Sequence, residues 1–136
     1  MSERIKYYEV VKLTSKKGNK YNAKKTEYNG HSYDSKHEAR VAQYLDLLLK
    51  EKDARDTVIK WIPHPKKFTF TVNGKKITSY TPDFMVKYSS GKVEYWDAKS
   101  EATRKAEAYR IRKKWLLAEY GIDVKEISKH DLPQIF

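Results

Sequence analysis

The sequence has no cysteine, so disulfides and thiolate metal sites are excluded, an absence that is only weak evidence of a reducing compartment. No stretch approaches the run of about 18 apolar residues that a membrane helix needs. The first six residues, Met-Ser-Glu-Arg-Ile-Lys, lack the apolar centre of a secretory signal, so a cytoplasmic protein without a membrane anchor is expected. Glycine and proline are scarce, five and four residues, and there is neither an internal repeat nor a low-complexity tract, which argues against a linker or a solenoid.

What is present is aromatic and basic. With 39% hydrophobic residues and 3 Trp, 11 Tyr and 4 Phe, the 136-residue chain can fill one modest core, but a second catalytic domain does not fit. Lys and Arg number 29 against 18 acids, a net charge of +11. Such an excess points to a polyanion partner, with nucleic acid first and a Lys-rich soluble surface or a membrane-surface protein as the alternatives. Residues 1–25 carry eight basic side chains against Glu3 and Glu9. Residues 1–33 therefore read as a basic arm or strand, with Lys24 and Lys25 among its phosphate-gripping candidates, and residues 34–136 as a single domain.

Ala39, Ala42, Leu45 and Leu49, joined by Val41 and Leu48, recur at helical spacing and predict a helix over residues 36–50. Ser35 and Glu38 stand at capping-box spacing at its start. Residues 58–62 form a short apolar run stopped by Pro63 and Pro65. Phe68, Phe70 and Val72 then alternate with polar neighbours up to Asn73-Gly74, a strong hairpin signal that puts Phe70 opposite Ile77. The return strand runs through Pro82, an edge or bulge marker, into residues 84–88. Ser89-Ser90-Gly91 turns the chain into a strand near residues 93–99. One helix over residues 101–120 is expected to bury Ala108, Ile111, Trp115 and Ala118, with Gly121 as a left-handed cap and a last strand over residues 122–127. The order predicts an α/β fold, a mixed sheet flanked by helices.

A three-residue loop with Gly91 in the left-handed position sets Asp83 directly across from Asp97. Two carboxylates about 5 Å apart repel by roughly 3 kcal/mol at an effective dielectric near 20. Such a pair persists only if one acid is protonated or a cation lies between them. Lys99 lies two residues beyond Asp97 on the same strand face, and the Ala98 backbone carbonyl is available between them. Asp83, Asp97 and that carbonyl suit a hard divalent ion, Mg²⁺ or Mn²⁺. Water activated there beside a lysine can attack phosphorus. As a set of isolated residues, the same three could be a strand-end ion pair. Glu38 is a third carboxylate on the sheet-facing stripe of its helix; it serves equally as a capping residue or as an auxiliary ligand.

Pro82-Asp83, then Asp97-Ala98-Lys99 after fourteen residues, with Glu38 on a preceding helix, resembles the PD-(D/E)XK nuclease superfamily. The lead through Tyr21-Asn22-Ala23-Lys24-Lys25-Thr26, Asn29-Gly30, Tyr33-Asp34-Ser35-Lys36 and Glu38-Ala39 is similar to its small phage-borne branch, the Holliday-junction-resolvase-like endonucleases. The resemblance spans about residues 20–125 and implies a restriction-endonuclease-like α-β-β-β-α-β core and a metal-dependent endodeoxyribonuclease acting on branched or junction DNA. It implies Glu38, Asp83 and Asp97 as metal-holding residues, and Lys99 as the cation that orients water or steadies the phosphorus. Ser100 stands where relatives often carry glycine after the motif lysine.

Phosphate contacts are expected from Lys24, Lys25 and Lys36 and from the second helix through Arg104, Lys105, Arg110 and Lys113, a face that could equally be only solvated. Tyr21, Tyr28 and Tyr33 either pack or stack on unpaired bases. His31, His37, His64 and His130 show no ligand spacing, and His37 reads as an exposed helical residue. A homodimer is expected, because cutting two strands with one small site calls for a pair. The alternative is a non-catalytic nucleic-acid-binding or accessory protein of the same fold.

Overall fold

A computed structural model describes residues 14–15, 25–52 and 55–134. In chain order the elements are β1 (Thr14–Ser15), β2 (Thr26–Tyr28), β3 (His31–Tyr33), α1 (Lys36–Lys50), β4 (Val58–Pro63), β5 (Phe68–Val72), β6 (Lys75–Tyr80), β7 (Phe84–Tyr88), β8 (Val93–Ala98), α2 (Glu101–Lys105), α3 (Glu107–Tyr120) and β9 (Lys125–Ile127). A central four-stranded sheet has the order β4-β7-β8-β9, antiparallel except for the parallel β8–β9 pair. β1, β2 and β3 form a small sheet, and β5 with β6 forms a two-stranded ribbon. The fold is mixed α/β around a mixed sheet, and among the described residues no helix is long and apolar enough to cross a membrane.

Strand alternation divides the core in two. Phe84, Val86, Trp96 and Ile127 point to one face, where Ala39, Val41, Ala42 and Leu45 of α1 cover them. Tyr95 points the other way, toward Phe68, Phe70 and Tyr80 of the ribbon and Tyr109 and Leu116 of α3. Asp97 follows Trp96, so it emerges on the α3 side. Asp46 ties the α1 layer together, accepting from the Tyr28 hydroxyl at 2.5 Å and the Trp61 indole at 2.9 Å. The segment read as a basic arm or strand contributes its last part to this body: Thr26 and Tyr33 are buried.

α1 has the expected bounds, and the Ser35 hydroxyl accepts from the Glu38 amide at 3.1 Å. Asn73 and Gly74 both have positive φ, 51° and 77°, as their two-residue turn requires. Gly91, at φ 94°, closes the next turn and sets β7 against β8 in the expected register.

Five expectations need correction. Phe70 pairs with Thr78, not Ile77, because a bulge in β6 leaves Ile77 without a cross-strand partner and 56% exposed. The return strand is not continuous through Pro82: β6 and β7 belong to different sheets, and the buried proline lies between them. The helix over residues 101–120 is broken at Ala106, whose ψ of 130° is extended. α2 buries no residue, so nothing holds it in line with α3. The buried side of α3 carries Tyr109 and Leu116, while Ile111 is 48% exposed and Ala108 and Ala118 are exposed. The ribbon covers the helix one residue, about 100°, round from the expected stripe, where Phe70 stacks on Trp115 at 5.3 Å. The last strand is also shorter than expected, Lys125–Ile127.

Phe70→Ala should lower stability by about 3 to 5 kcal/mol in urea unfolding, because Phe70 is fully buried between β6 and α3. Ile77→Ala should change it by no more than about 0.5 kcal/mol.

Candidate metal centre

The β7–β8 register pairs Phe84 with Trp96, so one step further places Asp83 beside Asp97 where both strands reach the same end of the sheet. The two carboxylates do not simply confront each other. The Asp83 amide donates to Asp97 Oδ1 at 2.8 Å, and the Ala98 amide donates to Asp83 Oδ2 at 2.8 Å. Each acid thus accepts from the other strand, which offsets part of their repulsion. Asp97 is 1% exposed, and its Oδ2 has no hydrogen-bond partner among the described residues. A buried carboxylate oxygen left in that condition is costly unless a proton or a cation occupies its lone pairs.

Glu38 comes to the same place from the first turn of α1 and is 5% exposed. Its carboxylate does not close a capping box onto Ser35. Oε1 lies 2.8 Å from His64 Nε2, and the group also accepts from the Asp34 backbone. One ligand atom each from Glu38, His64 and Asp83 falls within 4.8 Å of the others, close enough to share one ion.

His64 is the residue that sequence reasoning missed. β4 pairs with β7 so that Pro63 faces Phe84, and the next step brings the His64 amide to the Asp83 carbonyl at 2.8 Å. His64 has φ 46°, a left-handed conformation that costs a non-glycine residue about 1 to 2 kcal/mol. The backbone bond to Asp83 and the ring contact with Glu38 hold it there. The flanking Pro63 and Pro65 signal the strand end, but nothing local tells that β4 lies beside β7. His37 also differs from expectation: half-buried, its Nε2 lies 2.8 Å from the Ile127 carbonyl, joining α1 to β9.

The electrostatics follow from burial. Glu38 is pushed up to about 8, first by desolvation, then by the charges of Asp83 and Asp34, with the Asp34 amide and Lys99 opposing. Desolvation also raises Asp83 and Asp97, again against Lys99. Lys99 is the positive charge common to all three, and its ammonium stands 4.9 Å over the Tyr109 ring. Three desolvated acids therefore share one lysine. The donor set that converges, Glu38 and Asp83 oxygens with a His64 nitrogen, fits a divalent cation; Asp97, tied to Asp83 through the Asp83 amide, lies outside that group. The Ala98 carbonyl leaves β8 on the same side as its amide, toward Asp83, so it remains an available oxygen.

A family model described as a protein of unknown function, DUF1064, matches residues 18–130. The chain belongs to the DUF1064 family. Neither a curated protein nor a solved structure matches the chain.

The basic candidates do not all stand free. Lys24 lies outside the described residues. Lys25 pairs with Asp34 at 3.8 Å, Arg104 and Lys105 with Glu101 at 3.4 and 3.6 Å, and Lys36 and Arg110 are exposed. The Glu101 pairs are surface contacts that a phosphate can displace. Half-buried Lys113 is held by Glu126 at 3.7 Å, and Glu126 lies beside Asp97 in the β8–β9 register. Arg104, Arg110, Lys113 and Lys114 line a cleft of about 290 Å³ above Glu126 and Asp123, with room for a phosphate group. Tyr33 is core and Tyr28 is bonded to Asp46, so neither is placed to stack on a base; Tyr21 lies outside the described residues.

A pH dependence follows. Between the ordinary glutamate value of 4.5 and about 8, folded Glu38 keeps a proton that the unfolded chain has released. Unfolding then loses a proton, so stability falls as pH rises through that window. Without added divalent ions, the melting temperature should drop by on the order of 10 °C from pH 5 to pH 8, and Glu38→Gln should remove most of that drop. A flat profile in the unsubstituted protein would contradict the burial of Glu38.

Proposed function

We propose that the chain is a metal-dependent endodeoxyribonuclease that hydrolyses phosphodiesters, with Glu38, Asp83, Asp97 and Lys99 as its catalytic residues and His64 as an added metal ligand. The observation that carries the reading is the convergence of Glu38, His64 and Asp83 donor atoms within 4.8 Å, with the buried, unpartnered Asp97 Oδ2 on the neighbouring strand, in a chain of net charge +11. The order α1, β4, β7, β8, α3, β9 supports a restriction-endonuclease-like core, with the ribbon inserted between its first two strands. It also supports the likeness to the PD-(D/E)XK superfamily.

Glu38, His64 and Asp83 would hold the ion, with Asp97 beside them on the neighbouring strand. Oxygen ligands alone suit Mg²⁺, whereas an imidazole beside them makes Mn²⁺ the better fit. When bound, a divalent ion supplies Lewis acidity at the phosphate and lowers the pKa of water. The protein's own groups do the rest. Lys99 offers an ammonium to the phosphate oxygen on which charge develops, from a position fixed by the Tyr109 ring. Without the ion, burial keeps a proton on Glu38 near neutral pH and His64 Nε2 holds its Oε1; both groups would exchange those partners for the ion, Glu38 giving up its proton. Exposed Lys36, Arg110 and Lys105 and the cleft beside α3 guide the backbone, as Lys24 and Lys25 would from the N-terminal side. A 136-residue chain has little surface for reading a long sequence, which favours branched or junction DNA; cutting both strands calls for a homodimer.

The test is incubation of a supercoiled plasmid and a synthetic four-way junction with Mn²⁺, with Mg²⁺ and with chelator. Cleavage should need the metal and should be faster with Mn²⁺. Asp97→Asn keeps an acceptor for the Asp83 amide, so it should fold but lose cleavage by roughly a hundredfold or more, with DNA binding retained. Binding without cleavage under any metal would leave a non-catalytic DNA-binding module.

A further inference from the structure

The ribbon is the part of the molecule that the metal centre does not use, yet it grows out of that centre. It leaves the sheet just after His64 and returns just before Asp83, and the His64 amide to Asp83 carbonyl bond of 2.8 Å pinches its base shut. Its inner face is anchored: Phe68 and Phe70 pack against Tyr120, Tyr80 packs on Tyr109, and the Tyr120 hydroxyl donates to the Thr69 carbonyl at 2.7 Å. Beyond that anchor every residue from 71 to 77 is exposed.

The chemistry of that tip is specific. From Thr57 to Pro82 the chain has no acidic residue, and the ribbon with its approach carries Lys66, Lys67, Lys75 and Lys76. None of the four lysines has a carboxylate partner within ion-pair distance among the described residues. Between them two apolar side chains stand in water, Val72 at 47% and Ile77 at 56% exposure. The β6 bulge leaves Ile77 out of the pairing, and bulges commonly re-aim a side chain in this way. A ribbon of two strands fits the major groove of a duplex, where apolar side chains rest on thymine methyl groups.

We propose that the β5–β6 ribbon is a docking arm for double-stranded nucleic acid: the four lysines grip phosphates on either side of a groove, and Val72 and Ile77 rest against the base pairs. This rests on the nucleic-acid reading above and adds the duplex form and the surface that holds it. Because the arm is rooted between His64 and Asp83 and anchored on α3, it fixes the distance from the gripped duplex to the strand presented to the acids.

The experiment uses the full chain carrying Asp97→Asn, so that substrate survives, with a labelled duplex followed by fluorescence anisotropy across a salt series. Lys75→Glu with Lys76→Glu should weaken binding by about tenfold or more and lower the salt slope by about two. Val72→Ser with Ile77→Ser should weaken binding by several-fold with the slope unchanged, because no phosphate contact is lost. Melting temperatures should stay at that of the parent, since the tip packs on nothing. Affinity within roughly twofold of the parent for both pairs would overturn the docking arm while leaving the nuclease reading intact. Equal weakening of single-strand and duplex binding would overturn the duplex assignment. A parent that binds no nucleic acid would overturn the arm together with the reading on which it rests.

Discussion

Carboxylates taken out of water without enough positive charge beside them are the constraint around which this molecule is arranged. Asp97 and Glu38 are buried, Asp83 is half-buried, and all three are raised by desolvation. Lys99 is their shared counter-charge. The crossed bonds between Asp83 and Asp97 satisfy one oxygen of each acid and leave Asp97 Oδ2 with none. A core built for stability alone would carry apolar groups there, because burying unpaired acids costs several kcal/mol. Their presence makes sense if that cost is offset when a cation arrives, and the left-handed backbone of His64 belongs with the same arrangement.

The remaining architecture brings acids from distant parts of the chain to one sheet end. Antiparallel pairing of β4, β7 and β8 delivers His64, Asp83 and Asp97 side by side, and α1 lies across the other face with Glu38 in its first turn. Two separate apolar clusters support this arrangement: α1 fixes the sheet from one side, and α3 with the ribbon fixes it from the other. Neither cluster includes the acids, so the centre lies at the seam between them. The basic cleft of α3 and the lysine-bearing ribbon then flank the seam, which is how a chain with a positive surface can hold a negative centre.

What could be read from the sequence was what local chemistry decides. The Ser89-Ser90-Gly91 turn fixes its own register, so the meeting of Asp83 with Asp97 was legible from a few residues. The same holds for α1, where a 3.6-residue period and Ser35 determine both ends. His64 was not legible, because an inserted ribbon separates β4 from β7 and their pairing is a long-range event. The break at Ala106 carries neither proline nor glycine, and the facing of α3 was set by Phe70 and Trp115, aromatic partners from far apart in the chain. The bulge at Ile77 carries no local mark either, because Asn73-Gly74 by itself predicts a regular two-residue hairpin.

The most direct test of a cation-requiring acidic centre is calorimetric titration of Mn²⁺ into the full chain near pH 7 in buffers of different ionisation enthalpy. Saturable binding is predicted, with proton release as Glu38 gives up the proton that burial imposes on it, and with affinity reduced by roughly tenfold or more in both Asp97→Asn and His64→Ala. No binding, or binding unchanged in both variants and without proton release, would contradict the account.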